Sequence, residues 1–298
     1  MKRLSEKMIA QMHLTGIVLL VLVIISLPYL SAWAGTPAGM TFTGALLNPD
    51  DMGVYVSAMR QGANGHRLYH FTYSPEPWQP RLMLLLYLVL GKLTAVFTTP
   101  TVFTLHIWRT LLAALSIVTL LFWVRTVFPK QVRRQWISLL LILFGSGVGW
   151  IAVFLFDNAA GWSPDLGFAE WSPLIALFNT PHFALGLGLE ALFFALMLRM
   201  SRKNGAHQLW WALLAALVGL LDSLVYVYHL AIIGLVVGFL MPATAFQARR
   251  IPWRQWGYGA VVLLPQLPLL YYYAFQTNND PYWTQYITTT HVISPPTI

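Results

Sequence analysis

The sequence predicts an all-α, polytopic membrane protein. Hydrophobic residues make up 57% of the 298 residues and charged residues only 9%, whereas a soluble domain carries about 25% charged residues. Tryptophan and tyrosine, 13 of each, suit helices that are anchored at membrane interfaces. This chain has no cysteine, so it forms no disulfide bond or thiolate metal site. The net charge of +8 invites a nucleic-acid ligand, but membrane topology explains the basic residues better, and no nucleic-acid partner is predicted.

Eight long apolar runs are candidate membrane spans. They lie at residues 14–33, 81–97, 102–124, 136–156, 175–198, 208–221, 224–241 and 257–275. The first run ends in Ala32-Trp33-Ala34, which resembles a signal-peptidase site. A cleaved signal peptide usually has an apolar core of about 7–15 residues, so we favour an uncleaved first span over a cleaved signal.

Thirteen of the 18 Lys and Arg residues fall in four clusters, and these clusters predict the topology. The clusters are Lys2/Arg3/Lys7, Arg125/Lys130/Arg133/Arg134, Arg199/Arg202/Lys203 and Arg249/Arg250/Arg254. The positive-inside rule places all four in the cytoplasm, which requires that one of the first three runs does not cross. Run 81–97 is the weakest, because it is near the minimum length for a span and contains Arg81, Gly91 and Lys92. We therefore predict that it lies on, or dips into, the outer face.

This topology gives about seven transmembrane helices with a cytoplasmic N-terminus, in a single domain over residues 1–298. The first outer loop spans 34–101, with juxtamembrane helices, and the second spans 157–174. Runs 208–221 and 224–241 are predicted to form a hairpin that turns at Asp222-Ser223 on the outer side. The chain stops within an outer segment, so we expect further spans in the complete protein.

Asp50 and Asp51 are paired carboxylates just outside the first span. Such a pair can act as a base, a metal ligand or a substrate clamp. The sequence Asn48-Pro49-Asp50-Asp51 also matches an N-cap, an N1 proline and a first helical turn whose negative charge complements the helix dipole. Both interpretations stay open. The helix is predicted to be amphipathic, with Val54, Tyr55, Ala58 and Met59 on one face.

Other polar residues are open to two interpretations each. His66 and His70 have the spacing of metal ligands on a helix, but nearby glycines make a helix doubtful, and exposed loop histidines are the alternative. His182 is either a hydrogen-bonded packing residue or a functional one. Arg109 lies on the order of 10 Å deep in its span. It therefore needs a partner: Glu190, a backbone carbonyl or a lipid phosphate.

These features resemble the GT-C superfamily of membrane glycosyltransferases, which includes protein O-mannosyltransferases and the lipid A aminoarabinose transferase. The shared features are an inside N-terminus, one span, and a long outer loop that carries an acidic pair, here Asp50-Asp51. A proline-rich approach to a juxtamembrane helix follows, here Glu76-Pro77-Trp78-Gln79-Pro80-Arg81. The resemblance covers roughly residues 10–200.

The resemblance implies transfer of a sugar from a polyprenyl-phosphate donor to a glycan, lipid or protein acceptor, at the outer face of a bacterial inner membrane. Asp50 or Asp51 would be the base, and Asp50, Asp51 and Glu170 would hold any divalent cation, Mg²⁺ or Mn²⁺. The implied substrate-binding residues are Tyr55, Glu76, Arg81, Arg109, Glu170 and His182. Two alternatives remain: a transporter or flippase for a lipid-linked glycan, and a non-catalytic subunit of an envelope assembly.

Overall fold

The computed structural model describes residues 2–147, 149–155, 168–202, 206–282 and 284. Within these ranges the chain is helical apart from loops, turns and one isolated antiparallel bridge between Tyr69 and Arg81. Among the described residues, five helical segments are long and apolar enough to cross a membrane: Met12–Ala34, Thr101–Val127, Pro181–Ser201, His207–Val225 and His229–Ala248. The chain is thus an all-helical protein of the multi-pass membrane type.

The helices are numbered here in chain order. They are α1 (Lys2–Ala34), α2 (Pro49–Ala63), α3 (Leu85–Phe97), α4 (Thr101–Val127), α5 (Val132–Phe144), α6 (Gly149–Leu155), α7 (Pro173–Phe178), α8 (Pro181–Ser201), α9 (Ala206–Val225), α10 (His229–Ala248), α11 (Trp253–Leu263) and α12 (Leu267–Asn279). Single 3₁₀ turns at Ala169–Trp171 and Leu264–Gln266 precede α7 and α12.

Close packing of α4 against α8 forms the centre of the fold. Ser116 on α4 donates a hydrogen bond to the carbonyl oxygen of Ala184 on α8. A Cβ atom on Gly188 would lie only 2.5 Å from Ser116 Oγ, so the glycine permits this approach. Further along both helices, Arg202 donates to the carbonyl oxygen of Thr126 at 2.5 Å. The contacts advance in the same direction along the chain, so α4 and α8 run parallel.

The ends of α4 and α8 bring two of the basic clusters to one end of the molecule. The guanidinium group of Arg199 lies 4.2 Å from the ring centre of Phe122 and 5.2 Å from that of Trp211, which is near the start of α9. At the other end of α8, His182 lies beside Tyr226, which follows α9, so α8 and α9 are antiparallel. The opposite end therefore carries α2, α3 and the turn between α9 and α10.

Two of the predicted spans are divided in the structure. Run 136–156 is split because α5 ends at Phe144 and Gly145 adopts an extended conformation before α6 begins. Run 257–275 is split between α11 and α12 at Leu264–Gln266, where Pro265 interrupts the helical hydrogen bonding. Crossing of the membrane by these two regions stays a prediction. Run 81–97 contributes only the 13 residues of α3, about 20 Å of helix, which is shorter than the roughly 30 Å hydrocarbon core.

The predicted turn at Asp222-Ser223 is wrong. Both residues are fully buried within α9, and the chain turns at 226–228 instead. Ser223 donates a hydrogen bond to the carbonyl oxygen of Gly219 and contacts Gln266 Oε1 at 3.1 Å. A polar pair between two short apolar runs suggested a loop, but internal hydrogen bonds allow these side chains to lie inside a helix.

The start of α2 agrees with the sequence in one respect and differs in another. Pro49 occupies the first turn, as predicted. Asn48 occupies the N-cap position but makes no side-chain capping hydrogen bond, because its backbone is left-handed (φ 49°, ψ 61°) rather than extended. The predicted N-cap interaction of Asn48 is therefore wrong.

Two glycines hold α2 against α3. A Cβ atom on Gly62 would lie 2.1 Å from the carbonyl oxygen of Leu88, and one on Gly91 would lie 1.9 Å from that of Met59. No side chain fits at either position, so the two backbones touch. This contact fixes the orientation of α2, which carries Asp51 and Tyr55.

Candidate functional site

Aromatic and polar side chains join α2, α3 and the first turn of α8. The rings of Tyr55 and Tyr87 stack with centroids 4.4 Å apart and an interplanar angle of 5°. The hydroxyl of Tyr87 lies 2.6 Å from His182 Nδ1, and the hydroxyl of Thr180 lies 3.0 Å from the same nitrogen. Burial raises the pKa of Tyr87 well above its usual range, so this phenol stays protonated beside His182. His182 is thus a buried, hydrogen-bonded residue.

A cavity of about 580 Å³ adjoins this cluster, and we call it the first cavity. Its polar lining residues are Glu170, Glu190, Tyr226, Tyr228 and His229. Its apolar lining residues are Ala169, Pro173, Ala176, Phe183, Leu187 and Ile232. The ring of His182 lies 4.0 Å from that of Phe183 and 5.5 Å from that of Tyr226, so the Tyr87–His182 pair supports its wall.

Glu170, predicted as a substrate-binding residue of the second outer loop, lies on the wall of the first cavity. Tyr226 donates a hydrogen bond to its Oε1 atom. Burial raises the pKa of Tyr226, and the hydrogen bond and negative charge of Glu170 raise it further. The phenol therefore remains a donor at neutral pH and holds one oxygen of the carboxylate.

The charge of Glu170 acts on Asp51, which lies in the first turn of α2. Burial raises the pKa of Asp51, and the negative charges of Asp50 and Glu170 raise it further. Burial also raises the pKa of Tyr55, with smaller contributions from Asp51 and Glu170. Asp51 and Glu170, which are distant in sequence, therefore interact electrostatically with one another and with Tyr55. Of the acidic pair, Asp51 is the member whose charge reaches both Tyr55 and Tyr87.

A buried aspartate–histidine pair adjoins the first cavity, and its histidine, His229, is one of the lining residues. Nδ1 of His229, the first residue of α10, lies 2.9 Å from Oδ1 of Asp222. Tyr226 packs edge-on against His229 with centroids 4.7 Å apart. A Cβ atom on Gly186 would lie 3.3 Å from His229 Cε1, so the glycine leaves room for the imidazole.

Sequence reasoning missed Tyr226 and His229 as site residues. The available signal was Asp222, because a carboxylate in an apolar helix requires a partner. His229 is the nearest basic residue after it, but the misplaced turn hid the pairing.

Arg109 lies outside the lining of the first cavity. Its Nη1 donates to the carbonyl oxygens of Ile25 at 3.0 Å and Phe178 at 3.1 Å. Its guanidinium group lies 4.3 Å from the ring centre of Tyr29, and the side chain is only 2% exposed. Backbone carbonyls, one of the three predicted kinds of partner, therefore bind Arg109. Arg109 forms no ion pair with Glu190.

Arg81 and Glu76 also lie apart from the first cavity. Arg81 forms an ion pair with Asp280 and lines a second cavity of about 400 Å³ beside the end of α12. The hydroxyl of Tyr272 on α12 accepts a hydrogen bond from the Leu82 amide at 2.9 Å. Glu76 is exposed in the proline-rich segment. The proline-rich segment therefore packs against α12 and the residues that follow it, rather than against Glu170.

Among the described residues, no group of three His, Asp or Glu side chains is arranged to hold a metal ion. The predicted set of Asp50, Asp51 and Glu170 does not form such a group, and neither do the exposed histidines of the first outer loop.

The fold and the first cavity define a multi-pass helical membrane protein with a tyrosine-rich, acidic cavity at the end opposite two basic clusters. No protein-family model, no curated protein and no solved structure matches the chain. Its function is therefore argued from the first cavity and its charges.

Proposed function

We propose that this protein is a membrane glycosyltransferase that moves a sugar from a polyprenyl-phosphate donor to an acceptor hydroxyl. The observation that carries the proposal is the electrostatic interaction of Asp51 with Glu170, which lines the first cavity. Glycosyl transfer to a hydroxyl requires a base next to a site that holds the acceptor. A carboxylate on one outer segment and a hydrogen-bonded carboxylate on another supply these two functions.

Asp51 is the proposed base. It takes the proton from the acceptor hydroxyl while the acceptor oxygen bonds to C1 of the sugar. The bond between C1 and the phosphate oxygen breaks, and its electron pair leaves with the polyprenyl phosphate. The raised pKa of Asp51 makes its carboxylate a stronger base than an ordinary aspartate. Glu170 and Tyr226 are the proposed ligands of acceptor hydroxyl groups.

The orientation in the membrane is part of the proposal. The basic ends of α4 and α8 would face the cytoplasm, with the N-terminus inside and about seven spans in all. The first cavity would then face the outer side of a bacterial inner membrane, where a lipid donor and a water-soluble acceptor can meet.

One observation favours a second candidate, a transporter or flippase for a lipid-linked glycan. Asp222 and His229 are ionisable residues buried at helix ends, and Glu190 acts electrostatically on both. Such groups inside membrane helices are frequent in proton-coupled transport. The same ionisable residues could also bind a charged substrate group in a transferase.

A single reconstituted system separates the two candidates. The full chain in proteoliposomes is supplied with polyprenyl-phosphate donors that carry labelled sugars, together with glycan, lipid and peptide acceptors. Label that appears on an acceptor supports the transferase. Movement of intact donor between leaflets, without label on any acceptor, contradicts the transferase and supports the flippase.

A further inference from the structure

The first cavity has one basic side chain among its described lining residues, and it is His229. The donor phosphate requires positive charge when the sugar departs. Arg109 and Arg81 were the predicted substrate-binding cations. In the structure Arg109 donates to backbone carbonyls, and Arg81 forms an ion pair with Asp280. The cation for the phosphate must therefore be sought elsewhere.

The geometry of His229 leaves one ring nitrogen for a ligand. Nδ1 is bonded to Asp222, which is fully buried and cannot rotate into solvent. Nε2 has no hydrogen-bond partner among the described residues, and the ring lines the first cavity. A carboxylate on one nitrogen fixes the orientation of an imidazole and favours its protonated form, as in proton-transfer pairs generally.

We propose that His229, held by Asp222, binds the donor phosphate through Nε2 and protonates it as the sugar leaves. This inference rests on the proposed transferase function. As the C1–O bond breaks, its electron pair moves to the phosphate oxygen and the Nε2 proton of the imidazolium is transferred there. Asp51 receives the acceptor proton, so one proton enters the protein at Asp51 and one leaves it at His229.

The charges around His229 predict the pH dependence of phosphate binding. The titratable groups that act on or contact it are Asp222 from α9, Glu190 from α8, Glu170 and Tyr226 from the adjoining turns, and His182 at the start of α8. While the imidazole is protonated, it offsets the nearby carboxylates and attracts the phosphate. When it loses its proton, the carboxylates repel the phosphate. Binding should therefore weaken as pH rises through the histidine range, between about pH 5 and 8.

Binding of a polyprenyl phosphate that carries no sugar tests this inference without transfer. The full chain in lipid nanodiscs is titrated with it by calorimetry. His229→Gln should weaken binding about tenfold to a hundredfold, because a charge-assisted hydrogen bond is lost. Asp222→Asn should weaken binding less and reduce its pH dependence. His207→Gln is the matched control, since His207 is exposed at the other end of α9.

The outcomes separate the inference from the function. If the wild-type protein does not bind the polyprenyl phosphate, the transferase proposal fails and this inference fails with it. If wild type and His229→Gln bind equally, the inference is overturned and the transferase proposal stands. Should His229→Gln fail to fold, wild-type binding that is constant between about pH 5 and 8 overturns the inference, and binding that weakens over this range supports it.

Discussion

The hydroxyl of Tyr87 lies 2.6 Å from Nδ1 of His182, and this hydrogen bond joins α3 to the first turn of α8. The two helices are far apart in the sequence. The stacked ring of Tyr55 extends the connection to α2, which carries Asp51. The hydrogen bond therefore helps to hold α2, and with it the proposed base Asp51, in place relative to the wall of the first cavity.

Tyr87→Phe should lower the free energy of unfolding by about 1–3 kcal/mol, because a buried polar group loses its hydrogen-bond partner. Thr180 remains within 3.0 Å of the same nitrogen, so the loss should fall at the lower end. Thermal unfolding in detergent measures it. Tyr271→Phe is the matched control, since Tyr271 is 70% exposed. Equal stability of the two variants would contradict a role for this bond.

Asp51→Asn should reduce sugar transfer by about 10²-fold or more while expression stays normal, because the base is lost. Asp50→Asn should reduce transfer far less. Either change alters charge at the start of α2 and costs only about 0.3–1 kcal/mol of helix stability. Initial rates of transfer at saturating donor measure the difference. Full activity of Asp51→Asn would disprove its role as base.

Glu170→Gln should move the rising limb of the pH–rate profile to lower pH. Asp51 acts as base only after losing its proton, so activity rises as pH passes its pKa. The negative charge of Glu170 contributes to the raised pKa of Asp51, and its removal should lower that pKa. The profile of kcat/KM, measured against that of the wild type, tests the shift. An unchanged rising limb would show that the two carboxylates do not interact in the working protein.

Gly91→Ala should separate α2 from α3 and lower the Tm markedly, because its methyl group would overlap the carbonyl oxygen of Met59. Gly16→Ala on α1 is the matched control, since no atom lies within 4 Å of the added carbon there. Both changes favour helix formation by roughly 1 kcal/mol. A lower Tm in Gly91→Ala alone supports the glycine contact, whereas identical Tm values would refute it.

Single cysteines can map the topology directly, because the chain has none of its own. A cysteine at Asn64 should react with an impermeant thiol reagent in intact cells. Cysteines at Arg133 and Arg202 should be shielded until the cells are opened. All three positions are exposed on the protein surface, so differences in labelling report the side of the membrane. Labelling of Arg133 from outside would reverse the proposed position of run 81–97.

The sequence permitted prediction of the long apolar helices, because an apolar run with charged flanks has few alternatives in a membrane protein. The breaks at Gly145 and Pro265 were harder to predict, since glycine and proline also occur within intact membrane helices. Asp51 and Glu170 were recognisable as candidates because acidic residues are rare here. The Asp222–His229 pair could not be recognised, because it depends on where α9 ends.

Arg109 has a consequence for the order of assembly. One of its carbonyl partners, Phe178, lies 69 residues further along the chain. When α4 enters the bilayer during synthesis, this charge has Ile25 and Tyr29 beside it but lacks that carbonyl. A charged side chain with an incomplete set of partners favours contact with the membrane surface. The final packing of α4 should therefore wait for α7, so that this part of the protein is completed only after Phe178 has been translated.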